Sequence, residues 1–124
     1  MDRENFENLV QEALNELPEE FQEKLENVAV VVEEWPTQVQ LDSVGIRPPG
    51  TLFGLYHGVP KIKRGSHYSA LPDKISIFAG PILATSTNPE AIKERIKQVV
   101  QHEIAHHFGL SEKEVRSTEM KTKK

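Results

Sequence analysis

The chain has 124 residues, of which 37% are hydrophobic and 27% charged, which suits one soluble globular domain spanning residues 1–124. The absence of cysteine excludes disulfides and thiolate metal sites, and a formal net charge of -4 with a pI near 5.7 gives no basic surface for nucleic acid. The N-terminal segment has no apolar core typical of a signal peptide, and no apolar run approaches the roughly 18 residues of a membrane span, so we expect a cytoplasmic protein.

Apolar residues recur at helical spacing near the start of the chain. In residues 3–16 they fall on one face of a predicted amphipathic helix, with acids and amides opposite. Pro18 limits this helix and begins a second, shorter one over residues 18–28. The inward positions are predicted to be Phe6, Leu9, Val10, Ala13, Leu14, Leu17, Phe21, Leu25 and Val28.

Two predicted strands follow, separated by a loop. Residues 28–34, VAVVVEE, form a continuous apolar run, which predicts a strand buried on both faces and therefore central in its sheet. The pattern breaks down over residues 37–50, where a Pro-Pro-Gly sequence marks a long loop. Residues 51–58, TLFGLYHG, form the second predicted strand.

A basic segment separates these strands from a third. Residues 59–74 are rich in turn formers and predict a hairpin-like excursion. We expect its basic side chains to be solvated rather than to form an anion site. Residues 74–80, KISIFAG, alternate aliphatic Ile75 and Ile77 with other residues, which predicts a third strand near an edge of the sheet.

A long helix is predicted after the third strand. Asn88 is a good N-cap and precedes Pro89 at the first helical position, and neither proline nor glycine interrupts residues 91–108. Beyond that, an S-x-x-E capping box predicts a short last helix near residues 112–118, and residues 119–124 are expected to be a frayed tail. Strands grouped before the long helix indicate an α+β fold.

The end of the long helix carries the sequence HEIAHHFGLSE. His102 and His106 are four residues apart, so on a helix both imidazoles project from one face and can bind the same ion. Glu103 stands where a general base for a metal-bound water would stand. After a turn at Gly109, Glu112 can return to the ion as a third ligand, which leaves one coordination position open for catalysis.

A helical wheel places Glu103 on the core-facing side of the long helix. A carboxylate there costs free energy unless it is paired or used, which favours a catalytic role. His107 lies on the same apolar side, and we interpret it as a packed histidine rather than a ligand. In the alternative interpretation the histidines are surface residues of an ordinary helix, and Glu112 serves only the dipole of the last helix. The core-facing side is defined by Ile92, Ile96, Val99 and Val100.

HEIAHHFGLSE resembles the H-E-x-x-H-x-x-G-x-x-(H/D) motif of metzincin-type zinc peptidases, and more closely the short bacterial minimal zincin family of possible metallopeptidases. LFGLYHGVP at 52–60 and LPDKISIFAGPI at 71–82 also resemble that family, so that the likeness covers roughly residues 28–115. Glu112 stands where the family more often has Asp or His, and His57 stands where an acid is more usual.

The resemblance implies a zincin-like fold, in which a small mixed sheet packs against the helix that carries the motif. It also implies a zinc-dependent metallopeptidase. In this hypothesis Zn²⁺ is bound by His102, His106 and Glu112 and lowers the pKa of its bound water towards about 7. Glu103 takes the proton and passes it to the leaving amine.

The expected partner is a peptide or protein substrate, with no nucleic acid and no membrane. Such a peptide would add to a sheet edge beside the helix, at the strand within 52–58 or the strand within 74–79. Two other functions remain open. One is a non-catalytic zincin-like scaffold that binds a metal or a protein, and the other is a zinc endoribonuclease, which the acidic pI disfavours.

Overall fold

The computed structural model describes residues 1–58, 63–64, 67–68 and 72–108. The predicted last helix, Gly109 and Glu112 lie outside these residues, as does most of the basic segment between the second and third strands. The described elements make an α+β fold with one three-stranded sheet. In chain order they are α1 (Arg3–Asn15), α2 (Glu19–Lys24), β1 (Val28–Glu33), α3 (Gln38–Ser43), β2 (Gly54–His57), β3 (Lys63–Arg64), β4 (His67–Tyr68), β5 (Asp73–Phe78), α4 (Ala79–Thr85) and α5 (Pro89–His107).

The two N-terminal helices are confirmed. The Asp2 side chain caps α1 by accepting a hydrogen bond from the Asn5 backbone N–H at 2.8 Å, and Pro18 is the N-cap of α2. Their apolar stripe is buried against the rest of the core through Phe6, Val10, Ala13, Leu17 and Phe21. These helices therefore cover one side of the domain, as the spacing of their apolar residues predicts.

The order of strands in the sheet is β1-β5-β2, which reverses two predictions. β1, predicted to be central, is an edge strand that pairs in parallel with β5, and every residue of it is half-buried. β5, predicted to be near an edge, is central and pairs antiparallel with β2 on its other side. An apolar run reports the surroundings of its side chains but not the number of neighbouring strands. In β5, the alternation of aliphatic and other residues that predicted an edge strand includes the polar Ser76, which is nevertheless fully buried.

Two short helices were not predicted: α3 lies in the segment predicted to be a long loop, and α4 begins at Ala79, where a strand was predicted to continue to residue 80. Thr37 and Gln40 form a capping box that begins α3. α4 begins directly after β5, and a Cβ at Gly80 would collide with the indole ring of Trp35. Glycine is therefore required where this helix passes Trp35. The hairpin-like character of the basic segment is confirmed in its described part, where β3 pairs antiparallel with β4.

The core lies between the sheet, α1 and α5. All four residues that define the predicted core-facing side of α5 are buried, and Lys93 and Lys97 of this helix bind Glu16, next to the end of α1, at 2.8 and 3.3 Å. The hydrogen bond from Lys93 is the main reason that the pKa of the Glu16 carboxyl is lowered. Within the described ranges, no helix is both long and apolar enough to cross a membrane.

Candidate metal centre

Helix α5 carries the H-E-x-x-H sequence in its last two turns. The Asn88 side chain accepts a hydrogen bond from the Ala91 backbone N–H at 2.9 Å and starts the helix, with Pro89 following as predicted. The helix then continues to His107. His102, Glu103 and His106 thereby lie on one continuous helix, whose regular rise sets their spacing.

His102 and His106 form an exposed pair of imidazoles on the same face. Their ring centroids are 6.3 Å apart and the rings are inclined by 25°. Two imidazoles bound to one tetrahedral zinc, with Zn–N distances of about 2.0–2.1 Å, have centroids about 5 Å apart. Both side chains are exposed, so their rotamers are free to change and bring the rings closer. The pair therefore fits two of the four positions around a zinc ion.

Glu103 turns towards β2. Its Oε1 accepts a hydrogen bond from the backbone N–H of Tyr56 at 2.9 Å. Phe53 and Phe78 are hydrogen-bonded across β2 and β5, and hydrogen-bonded pairs alternate with non-bonded ones along antiparallel strands. Tyr56 therefore points its backbone N–H away from β5, towards the outer edge of β2. Glu103 satisfies a donor on that edge, so this carboxylate has a structural partner as well as a position beside the histidines.

Tyr56 also connects β2 to the last residue of α5 through its side chain. Its ring stacks on His107, with centroids 3.8 Å apart, and its hydroxyl donates a hydrogen bond to Asp73 Oδ2 at 2.7 Å. His107 Nε2 lies 3.7 Å from the same oxygen. Burial, and then the hydrogen bond to Asp73, raises the pKa of the Tyr56 phenol. His107 thus packs against Tyr56, as its position on the helix predicted, although 37% of its side chain remains accessible.

We did not identify Tyr56 and Asp73 as site residues from the sequence, although both lie in the segments that carry the family resemblance. A detectable signal was a tyrosine near the end of β2 and an aspartate at the start of β5, which antiparallel pairing brings to the same end of the strand pair. His57, which we noted as a departure from the family pattern, lies on the next position of β2. Its Nε2 is buried and has no hydrogen-bond partner among the described residues.

A cleft of about 280 Å³ adjoins Glu103 and extends from the start of β2 towards the N-terminal half of α5. A Cβ at Gly54 would collide with the Val99 side chain, so glycine allows this strand to lie close against the helix. The side chain of Arg95 lies over the ring of Phe53, with Cζ 4.8 Å from its centroid. The residues that line the cleft are Thr51, Leu52, Phe53, Gly54, Arg95, Gln98, Val99, His102 and Glu103.

The described residues supply no complete metal site. Among them, no group of three or more His, Asp or Glu side chains is arranged to hold an ion. Glu112, the predicted third ligand, is not one of them. The histidine pair therefore stays a candidate centre whose remaining ligand is a prediction.

The model of the zincin-like metallopeptidase family matches residues 25–122, and the chain belongs to that family. A solved structure, of a conserved hypothetical protein from Thermo thermophilus, is similar to this chain with a TM-score of 0.57 and 21% sequence identity. The likeness covers 87% of this chain and 94% of the other, and at this identity it concerns the fold alone. Among curated proteins, none matches the chain.

Proposed function

We propose that this chain is a zinc-dependent peptidase, with His102, His106 and Glu112 as zinc ligands and Glu103 as general base. The observation that carries the proposal is the pair of exposed imidazoles on one face of α5, with Glu103 between them and, alongside, an edge of β2 that no described strand pairs with. Membership of the zincin-like metallopeptidase family supports it. Zinc bound by these ligands would polarise the scissile carbonyl and lower the pKa of a coordinated water.

Glu103 is suited to move a proton because only one of its oxygens is engaged. Oε1 accepts the Tyr56 N–H, whereas Oε2 makes no hydrogen bond to any described residue. The contact to the strand fixes the direction of the carboxylate, which a general base needs in order to reach both the attacking water and the leaving amine. Oε2 would take the proton and return it to that amine.

The substrate would add to the outer edge of β2. β5, which we also considered, has neighbours on both sides and offers no free edge within the sheet. Gly54 is an outward-facing position of β2, by the same alternation that turns Tyr56 outward, and it lies in the cleft. An extended peptide can exchange a pair of backbone hydrogen bonds with it.

Metal content tests the site. His106→Ala should remove most of the zinc from the purified chain, and Glu112→Gln should weaken zinc affinity about ten-fold or more. His57→Ala is a matched control, because it removes a histidine that the proposal does not use. Full zinc stoichiometry in His106→Ala would refute the assignment of the centre.

Peptide digestion tests the chemistry. A diverse peptide library should be digested with the zinc-loaded wild type and with zinc-loaded Glu103→Gln, and the products read by mass spectrometry. We expect slow cleavage at a narrow set of bonds by the wild type alone, because so small a cleft offers few pockets for side chains. Identical digests would favour the non-catalytic scaffold, for which the bond from Glu103 to β2 is the supporting observation.

A further inference from the structure

Arg95 places a positive charge in the cleft beside the proposed centre. Its guanidinium is positioned by the ring of Phe53 on one side, at 4.8 Å from Cζ to the ring centroid, and by Gln98 Oε1 at 3.4 Å from Nη1. The side chain is half-buried. Stacking on an aromatic ring holds the planar group while leaving its edge available for hydrogen bonds.

The charge of Arg95 is unpaired within the described part of the chain, in contrast to its neighbours on α5. Lys93 binds Glu16, and Lys97 binds both Glu16 and Glu94. No described carboxylate lies within ion-pair distance of Arg95. A half-buried guanidinium with one long hydrogen bond has N–H groups left to donate, and a carboxylate is the partner that matches its geometry best.

Arg95 lies at a fixed distance from the proposed metal centre, because both are on α5. It precedes His102 by seven residues, which is about two helical turns and about 10.5 Å along the same face. β2 runs in the same direction as α5, because Gly54 lies against Val99 while Tyr56 contacts Glu103 and Gly58 lies against His107. If a peptide pairs antiparallel with β2, its residues C-terminal to the cleaved bond would therefore lie beside Arg95.

We infer that Arg95 selects peptides that carry an acidic group about three residues C-terminal to the cleaved bond, since an extended chain covers about 10 Å in three residues. This inference rests on the proposed function for the location of the cleaved bond. The acidic group is a Glu or Asp side chain or the terminal carboxylate of the peptide. Arg95 is then a specificity-determining residue, and the cleft is a subsite for an anion.

Binding measurements test the inference without requiring cleavage. Fluorescently labelled ten-residue peptides of alanine and serine, carrying one Glu or one Gln, are titrated with zinc-loaded protein and followed by anisotropy. The wild type should bind the Glu peptide about ten-fold more tightly than the Gln peptide, as expected for a charge-assisted pair. Arg95→Gln should reduce this ratio to about one, and Arg95→Glu should favour a Lys peptide instead. Equal affinity of the wild type for the Glu and Gln peptides, including no binding of either, would overturn the inference.

Two control variants define the role of the guanidinium. Lys97→Gln removes a basic residue of the same helix that is already paired with Glu16 and Glu94, and the ratio should stay unchanged. Arg95→Lys keeps the charge but loses the flat, forked group, so part of the preference for the Glu peptide should remain. A ratio that Arg95→Gln leaves intact would assign the preference to another residue.

The two proposals can fail separately. In the library digest, acidic residues should be enriched at the third position after the cleaved bond, and Arg95→Gln should remove that enrichment. Cleavage that depends on Glu103 but shows no such enrichment would overturn the role of Arg95 and leave the peptidase standing. A binding preference that depends on Arg95, with no cleavage that depends on Glu103, would overturn the peptidase and leave an anion-selective peptide-binding cleft.

Discussion

The two outer edges of the sheet are each contacted by one charged side chain, with different surroundings. At β1, the Arg3 guanidinium donates to the Val32 carbonyl and also binds Glu34 and Glu7, at 3.1 and 3.3 Å. At β2, the Glu103 carboxylate accepts from the Tyr56 N–H and stands beside the two histidines. Each contact satisfies one backbone group at an outer edge, the Val32 carbonyl at β1 and the Tyr56 N–H at β2. Only the contact at β2 also involves a residue suited to chemistry.

The larger of the two grooves lies at the β1 edge. A groove of about 710 Å³ lies between α1, α2 and β1, whereas the cleft at β2 measures about 280 Å³. None of the described residues that line the larger groove is a histidine, so these residues offer zinc no imidazole ligand. The comparison indicates that the side chains at an edge of the sheet, and not the volume of the groove beside it, determine what chemistry is possible there.

The largest effect should come from separating the two roles of Glu103. Glu103→Gln keeps an amide oxygen that can accept the Tyr56 N–H but cannot take a proton, so activity should fall by about 10²–10⁴-fold while the fold is kept. Glu103→Ala also leaves the N–H without its partner and should lower the free energy of unfolding by about 1–3 kcal/mol. Urea denaturation and peptide cleavage measure the two effects. Equal stability of the Gln and Ala variants would contradict the structural role of the hydrogen bond.

A smaller effect is expected from Tyr56→Phe, which keeps the stack on His107 but removes the hydroxyl bound to Asp73. We expect a loss of about 1–2 kcal/mol in the free energy of unfolding. The phenol pKa is raised in the folded chain relative to its unfolded value of about 10. The stabilisation is therefore fully present below pH 10 and is lost as the pH rises further. Unfolding measured from pH 8 to 11 should show the difference between wild type and variant shrinking at the alkaline end, and a constant difference would refute the linkage.

At the β1 edge, Arg3→Ala should cost less. The side chain is about half exposed, with 47% of its surface accessible, so we expect a loss of roughly 0.5–1 kcal/mol and no change in zinc content. Glu7→Ala is the matched control, since it removes one surface ion pair and leaves the bond to Val32. Thermal unfolding of both variants checks this, and a larger loss in Glu7→Ala would show that the ion pair matters more than the contact to the edge.

The smallest effect on stability is expected in β5, the strand between the two edges. Ser76 of β5 is fully buried, and its Oγ has no hydrogen-bond partner in the described part of the chain. Replacing an unsatisfied hydroxyl by hydrogen removes a desolvation cost. Ser76→Ala should therefore leave stability unchanged or raise it by up to about 1 kcal/mol, as chemical denaturation would show. A clear loss would mean that the hydroxyl has a partner beyond the described residues.

The sequence predicted those parts of the fold whose signals are local. The cap at Asn88 and the apolar spacing of α1 and α5 depend on residues a few positions apart, and these helices were confirmed. The order of the strands was wrong because it depends on which distant segments pair, and hydropathy does not report this. The helix α3 did carry a signal, the Thr37 and Gln40 capping box, which we overlooked because two prolines follow it.

In the candidate site, too, only the features with local signals could be predicted. The spacing of His102, Glu103 and His106 follows from helical geometry alone. The contact between Glu103 and Tyr56 spans 47 residues, so it could be found only once β2 was known to lie beside α5. Glu112 as a ligand stays a prediction.

The pairing of β1 with β5 has a consequence for the way the chain folds. β5 is the strand that touches both β1 and β2, and those two do not touch each other within this sheet. During synthesis, the three-stranded ladder cannot begin before Asp73 has emerged or be complete before Phe78, although β1 is complete at Glu33. The ladder then closes a long loop, which slows folding. The valines of β1 stay unpaired in that interval, and this is when the nascent chain is most exposed to aggregation.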